Sequence, residues 1–362
     1  MMYQYVRPLL FQLDPETAHN LVKSIAQIIP AWLLPHYRVT DDRLKISLPL
    51  HDHTLTIFEN PMGLAAGFDK NAELIHFMHA LGFGFVEVGS VTYQPWLGNA
   101  RPRLFRLPRD EALINRMGLN CLGAEAAATN IRRAREQLPK NFPIGVNIAK
   151  TADPKILGDS ALDDYCQTFD QLHSLSDYLT INISCPNTQE GKTFEEPRAL
   201  DELLKVLLEV NRDRAVFLKL SADLKQEQLE QLINVAHQHG ISGYVVANTT
   251  TTRDLLTTDP KTIAAIGRGG LSGPPLYHRA VEMIGKVYDL TQGKVPIIGT
   301  GGVSSAKTAY HMMKAGASLV QLYTAFVYHG PGIVSTINHG LLELMDQDGV
   351  KKMQDVIGVE RQ

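Results

Sequence analysis

The sequence predicts a (β/α)₈ barrel preceded by a helical extension, and three observations carry that prediction. From Asn60 onward, eight strand-like runs alternate with eight helical patterns. Polar amides, lysines and a thiol gather at the C-terminal ends of those runs, where such a barrel keeps its functional residues. A glycine-rich turn follows the seventh run, the usual place for a phosphate. A doubly wound sheet would usually show Gly-x-Gly-x-x-Gly after an early strand, which Gly63-Leu64-Ala65-Ala66-Gly67 does not supply.

Residues 1–43 read as a separate segment ahead of a barrel over 44–362. Asp14 can cap a helix starting at Pro15, with Ala18, Leu21, Val22, Ile25, Ile28 and Ile29 at helical spacing up to Pro30. A short apolar piece, Ala31-Trp32-Leu33-Leu34, follows. Together with Leu9, Leu10 and Phe11 these residues suit a face lying against a bilayer, with Arg7, Lys23, Arg38, Arg43 and Lys45 toward the headgroups; packing on the body is the plainer alternative. Alternation over 44–48 and 55–58 predicts a hairpin. Strands are expected at 64–68, 85–91, 144–149, 178–183, 216–221, 243–249, 296–301 and 319–324. Helices are expected near 72–81, 122–138, 161–176, 199–213, 225–239, 276–289, 304–315 and 332–346.

Composition narrows the function. A net charge of -3 with no basic cluster argues against a nucleic-acid partner. Three cysteines, Cys121, Cys166 and Cys185, are too few and too scattered for a disulfide framework or zinc motif, which suits a reducing compartment. No convergent His/Asp set points to a metal. No apolar stretch is long enough to span a membrane, and the start lacks the features of a signal peptide.

The fourth strand opens into Asn182-Ile183-Ser184-Cys185-Pro186-Asn187-Thr188. A buried strand and turn explain Ile181 and Ile183 but not the amides and thiol spaced around them. Gly299-Thr300-Gly301-Gly302, with Tyr323-Thr324 after the last strand and Gly269-Gly270-Leu271-Ser272-Gly273 beside them, suits a phosphate-bearing cofactor. Lys70 past the first strand and Lys219 inside Phe217-Leu218-Lys219-Leu220 are either structural ion pairs or counter-charges for a flavin that gains electrons. Asn115, Asn147, Asn182, Asn187, Asn248 and Thr249 suit a small planar ligand. Cys185 is a small buried hydrophobe or a base, since its ordinary pKa of about 8.5 lies near working pH.

These residues resemble the dihydroorotate dehydrogenases over nearly the whole chain. Ala66-Gly67-Phe68-Asp69-Lys70-Asn71, Asn115-Arg116-Met117-Gly118-Leu119-Asn120, Asn182 to Thr188, Asn248-Thr249-Thr250, the Gly269–Gly273 segment and Gly299 to Gly302 stand in family order. The resemblance implies oxidation of (S)-dihydroorotate to orotate on FMN in pyrimidine biosynthesis. It implies Cys185 and Lys70 as catalytic groups, and Lys70, Asn115, Arg116, Met117, Gly118, Leu119, Asn182, Asn187, Asn248 and Thr249 as the substrate site. FMN would be held by Ala66, Gly67, Lys70, Ser90, Asn147, Asn182, Lys219, Ala247, Gly273, Gly302, Tyr323 and Thr324. The N-terminal helices resemble the quinone tunnel of the membrane-associated class 2 enzymes, with His19, Arg106 and Tyr323 at the quinone site. The implied location is the cytoplasmic face of a bacterial inner membrane, as a peripheral protein. Deletion of residues 1–35 is then expected to abolish quinone reduction and spare flavin reduction.

Two positions depart from the class 2 pattern: Cys185 stands where that class usually has serine, a class 1 habit, and Gln189-Glu190 replaces its usual Pro-Gly. Ala247 stands where the family often has a threonine near FMN.

Overall fold

The computed structural model describes residues 3–29, 34, 37–51, 54–183, 194–210 and 214–361. The chain opens with α1 (Tyr3–Gln12) and α2 (Pro15–Ile28). Asp14 caps α2 as expected, its carboxylate accepting from the backbone N–H of Glu16 at 3.1 Å and Thr17 at 3.0 Å. The sequence reading places no helix over α1, where Pro8 argues against one. Tertiary contacts override that preference: Tyr3 Oη donates to Val327 O at 2.5 Å and Arg7 Nη1 to Tyr328 O at 3.0 Å. The apolar piece 31–34 lies, apart from Leu34, outside the described residues.

The expected hairpin forms from β1 (Ile46–His51) and β2 (Thr54–Phe58), with Ile46 opposite Phe58. The first barrel unit is β3 (Met62–Leu64), α3 (Ile75–Ala80) and β4 (Phe85–Val91). A detour follows, β5 (Leu104–Leu107) and β6 (Ala112–Asn115), before α4 (Ala124–Gln137) and β7 (Ile144–Ile148) resume. Then α5 (Asp159–Leu172), β8 (Tyr178–Asn182), α6 (Pro197–Val210), β9 (Ala215–Leu220), α7 (Gln226–Gln238) and β10 (Gly243–Val246) alternate without interruption. A second detour, α8 (Pro260–Ile266) and β11 (Gly270–Ser272), precedes α9 (Tyr277–Thr291), β12 (Ile297–Thr300), α10 (Ala306–Lys314), β13 (Leu319–Leu322), α11 (Thr324–His329) and α12 (Ile333–Asp348).

β3, β4, β7, β8, β9, β10, β12 and β13 close into one parallel barrel, the fold class expected. Their side chains are buried on both faces, which is why these strands read as apolar runs rather than alternating ones. One boundary moves: the first strand ends at Leu64 instead of continuing to Phe68. Beyond it Gly67, at φ +101°, turns the chain across the barrel mouth and donates its N–H to Gly89 O at 2.6 Å.

The lower interior is filled by aromatic rings set against glycines. In register, Gly63 faces Phe85, Gly145 faces Tyr178 and Gly243 faces Phe217. A Cβ on Gly63 would sit 2.2 Å from the Phe85 ring, and one on Gly145 2.1 Å from that of Tyr178. Large and small side chains thus interlock in one layer. The hairpin seals this end, Phe58 meeting Phe85 edge to face at 5.2 Å.

The two detours form a three-stranded antiparallel sheet in the order β11-β6-β5, with Gly270 and Leu104 both opposite Asn115. The sequence reading places only loops there, because each strand is three or four residues long. The sheet has its own small core of Leu107, Ala112, Ile114 and Leu271, packed against Ile263 and Ile266 of α8.

Replacing Gly63 with alanine forces the Phe85 ring to move, and overpacking of this kind costs about 1–3 kcal/mol. Urea titration should show that loss for Gly63→Ala and its partial recovery when Phe85→Leu is added. Additive losses in the double variant would contradict the interlocked layer.

Candidate active site

Above the aromatic layer the barrel interior turns polar. Alternation along β4 sends Glu87 inward two residues after Phe85, and the same step places Asn147, Lys219 and Gln321 at its level. Glu87 has no solvent exposure. Asn147 Nδ2 donates to its Oε1 at 2.9 Å, while Gln321 Nε2 and Tyr178 Oη donate to its Oε2 at 2.9 and 3.4 Å. Lys219 Nζ lies 3.9 Å from the carboxylate. Burial pushes the Lys219 ammonium below its ordinary pKa, and Glu87 opposes that shift.

From this floor a hydrogen-bonded line rises to the barrel mouth. Ser90 Oγ donates to Asn147 Oδ1, Asn182 Nδ2 donates to Ser90 Oγ at 3.0 Å, and Asn248 Nδ2 reaches Asn182 Oδ1 at 3.4 Å. Above lies a cleft that opens to solvent, spanning about 1340 Å³ with the solvent space at its mouth counted. The three-stranded sheet roofs it through Leu104, Asn115 and Ser272.

Most sequence-predicted residues converge here. Ala66, Gly67, Lys70, Ser90, Asn115, Met117, Gly118, Leu119, Asn182, Lys219, Ala247, Asn248, Thr249, Gly273, Gly302, Tyr323 and Thr324 all line the cleft. Asn147 lies one layer below, beneath Ser90. The Arg116 side chain turns away: Nη1 donates to Ile266 O at 2.5 Å and Arg268 O at 3.0 Å, and Nη2 to Pro102 O at 3.2 Å, so its guanidinium braces the roof instead of facing a substrate. Cys185 and Asn187 lie outside the described residues.

The residues expected at a quinone site, His19, Arg106 and Tyr323, lie along the side facing the extension. His19 packs edge to face on Phe68 at 4.9 Å, and Phe68 in the same way on Tyr323 at 5.4 Å. Burial, with Lys70 and Lys23 nearby, lowers the His19 pKa to about 4. Arg106 Nη1 donates to Leu10 O at 3.1 Å and Nη2 to Leu13 O at 2.5 Å, with the guanidinium over Phe11.

The upper rim suits a phosphate-bearing group. Gly301, Gly302 and Gly273 have φ of +118°, +77° and +103°, and a Cβ on Gly302 would sit 2.8 Å from the backbone of Tyr277. The rim is therefore bare backbone that a ligand can approach closely. Gln321 Oε1, buried below it, has no partner among the described residues. Lys70 also faces the cleft; burial, reinforced by Arg103, lowers its pKa to about 8. Among the described residues no cluster could hold a metal ion.

Glu87, Gln321 and Tyr178 were missed by sequence reasoning. The signal that singled out Lys219, a polar residue inside an apolar strand, is equally present in Phe85-Val86-Glu87-Val88 and Leu319-Val320-Gln321-Leu322.

Comparison with known proteins decides the family. The dihydroorotate dehydrogenase family model matches residues 53–345. The chain belongs to the dihydroorotate dehydrogenase family. It is 42% identical to the dihydroorotate dehydrogenase (quinone) of Roseiflexus sp. (strain RS-1), across 99% of this chain and 98% of that one. It is 40% identical to the protein of the same name from Haloarcula marismortui, across 99% of each. Among solved dihydroorotate dehydrogenases, that of Eimeria tenella in complex with ferulenol superposes with a TM-score of 0.86 at 33% identity, covering 96% of each chain.

Proposed function

We propose that this chain oxidises (S)-dihydroorotate to orotate with FMN bound in the cleft and passes the electrons to a membrane quinone. The observation that carries the reading is the single cleft in which the bare glycine rim, Lys219 and Lys70, and the amides of Asn115, Asn182 and Asn248 meet. The full-length likeness to quinone-linked relatives supports the choice of acceptor.

Gly273, Gly302 and Thr324 would hold the cofactor phosphate and Ser90, Asn182, Lys219 and Tyr323 the rest, with Asn147 fixing Ser90 from the layer below. When bound, FMN supplies the hydride acceptor. Asn115, Asn248 and Thr249, with Asn187, hold the substrate's amide edges, and Lys70 balances its carboxylate. Lys70 is charged at neutral pH because its lowered pKa still lies near 8. Cys185 would remove the C5 proton as hydride leaves C6, and His19, Phe68 and Tyr323 would form the side from which a quinone approaches. Residues 1–43 form the quinone-access segment and 44–362 the catalytic barrel.

No helix among the described residues is long and apolar enough to cross a membrane. Attachment instead uses the outer face of the extension, where Tyr5, Leu9 and Ile28 are 79%, 65% and 78% exposed. Three of the cations expected to meet headgroups are engaged elsewhere: Lys23 pairs with Glu73, Arg43 with Asp41 and Asp346, and Lys45 with Asp42 and Glu59. The apolar face therefore carries the membrane contact.

The function is tested by anaerobic mixing of the flavin-loaded protein with dihydroorotate. The flavin should bleach and be restored by a quinone but not by fumarate or NAD; persistent colour would refute the reaction. In the same stopped-flow assay Cys185→Ala should slow bleaching by roughly 10²-fold with FMN retained, and Cys185→Ser should be less impaired, with its optimum at higher pH. Wild-type behaviour of Cys185→Ala alongside loss in Ser184→Ala would move the base to Ser184.

Protonated Lys70 attracts the carboxylate and neutral Lys70 does not. Orotate affinity should therefore fall by up to about tenfold per pH unit above pH 8, and Lys70→Met should flatten that limb. A wild-type profile that is level from pH 8 to 9.5 would remove Lys70 from this role. For the membrane contact, Leu9→Lys combined with Ile28→Lys should release the protein from phospholipid vesicles in co-sedimentation while bleaching by dihydroorotate stays unchanged. Retention on the vesicles would show that another surface binds them.

A further inference from the structure

Glu16 is a buried carboxylate on α2, only 6% exposed, and its partner Arg103 is equally buried. Arg103 Nε donates to Glu16 Oε2 at 3.1 Å and Nη2 to Oε1 at 2.6 Å, a guanidinium fork on one carboxylate. Arg101 adds a third bond to Oε1 at 3.1 Å. In sequence both groups look ordinary, Glu16 as a first-turn helix acid and Arg103 as one of several arginines in Arg101-Pro102-Arg103. Their burial sets them apart, because a charge at such a position is tolerated only when paired.

The bonds continue beyond the pair into the cleft wall. Arg103 Nη1 donates to Leu97 O at 2.6 Å and Asn99 O at 2.9 Å. Asn99 in turn donates its backbone N–H to Met117 O at 3.0 Å and its side-chain Nδ2 to Arg116 O at 2.8 Å. Arg116 closes the loop by donating its backbone N–H to Arg103 O at 2.8 Å. Two glycines allow the segments to come this close: a Cβ on Gly98 would lie 2.3 Å from Met117 O, and one on Gly118 2.7 Å from the Asn99 side chain. Met117, Gly118 and Leu119 face the cleft. Arg103 and Glu16 also act with opposite sign on the Lys70 ammonium, Arg103 lowering its pKa and Glu16 raising it.

We propose that Glu16 is a positioning residue for the substrate half-reaction: through Arg103, the N-terminal helices hold the 97–99 and 115–119 segments in the arrangement that binds dihydroorotate. The extension then serves both sides of the cleft, the substrate wall as well as the quinone path. Deleting residues 1–35 strips Arg103 of Glu16 and so impairs both half-reactions, contrary to the expectation from sequence that flavin reduction would be spared. This rests on the reading of the protein as a quinone-linked dihydroorotate dehydrogenase.

The test uses full-length flavin-loaded protein and three readouts: the orotate Kd from perturbation of the flavin spectrum, the KM for dihydroorotate, and the KM for a water-soluble quinone. Glu16→Gln, which keeps the shape and removes the charge, should raise the orotate Kd and the dihydroorotate KM by about tenfold while the quinone KM stays within about twofold, a tenfold loss being what one charged hydrogen bond is typically worth. Glu16→Asp should recover part of the loss. If Glu16→Gln does not fold, the double variant Glu16→Leu with Arg103→Met removes both buried charges together and should fold, hold flavin and still bind orotate weakly. Wild-type orotate affinity in whichever variant folds, or a change confined to the quinone KM, would overturn the proposal. Failure of dihydroorotate to bleach the wild-type flavin would instead overturn the function itself, so the two failures are distinguishable.

Discussion

The arrangement of the cleft depends on one buried carboxylate. Glu87 has no exposure and sits in the barrel centre, where an anion is tolerable only if its charge and lone pairs are met. A carboxylate accepts hydrogen bonds and donates none, so Asn147 must turn its Nδ2 toward Glu87, which leaves Oδ1 to accept from Ser90. The Ser90 hydrogen is thereby used, and its oxygen accepts from Asn182 Nδ2. Asn182 Oδ1 is then directed toward Asn248. One acidic side chain at the floor thus fixes the direction of three amides along the path to the mouth, and a specific polar pocket needs that fixed order of donors and acceptors.

Two layers of opposite character make this possible. Below, Phe85, Tyr178 and Phe217 fill the space that Gly63, Gly145 and Gly243 leave. Above, the short sheet β11-β6-β5 converts what would be open loops into a roof with its own apolar core. Tyr178 belongs to both layers, its ring packing on Phe217 at 5.1 Å while its hydroxyl reaches Glu87. Stability and polarity are therefore coupled at this residue, and burial beside an anion raises its pKa far above the ordinary value, keeping it a donor.

The barrel was legible because its signal recurs: short apolar runs bounded by turn residues alternate with helical patterns eight times along the chain. The glycine rim and most of the lining were legible because their chemistry is unusual for strand ends. What escaped was of two kinds. β5, β6 and β11 are too short for a periodic signal, and they exist because they pair with one another across a long separation in sequence. For Arg116, which the resemblance places in the substrate site, the sequence does not show which way the side chain leaves the backbone; here three carbonyls of the roof capture the guanidinium. Glu16 and Arg103 carry no local mark at all, since their meaning arises only when α2 docks beside β5.

That docking also explains how one cleft can face two different partners. On the rim side the walls are amides and bare backbone, suited to a polar ring and a phosphate. On the extension side Tyr323 lines the cleft, and Phe68 packs behind it against His19 and Phe326. A histidine whose pKa lies near 4 is uncharged at neutral pH, and Tyr323, pushed up to about 12 by burial, is uncharged as well. Both can offer a hydrogen bond without placing a charge on this side of the cleft. The same burial that removes charge from this wall leaves Lys70 ionised at neutral pH, because its lowered pKa stays near 8. Amides, bare backbone and Lys70 on one side and uncharged His19 and Tyr323 on the other thus give the cleft two chemically different approaches.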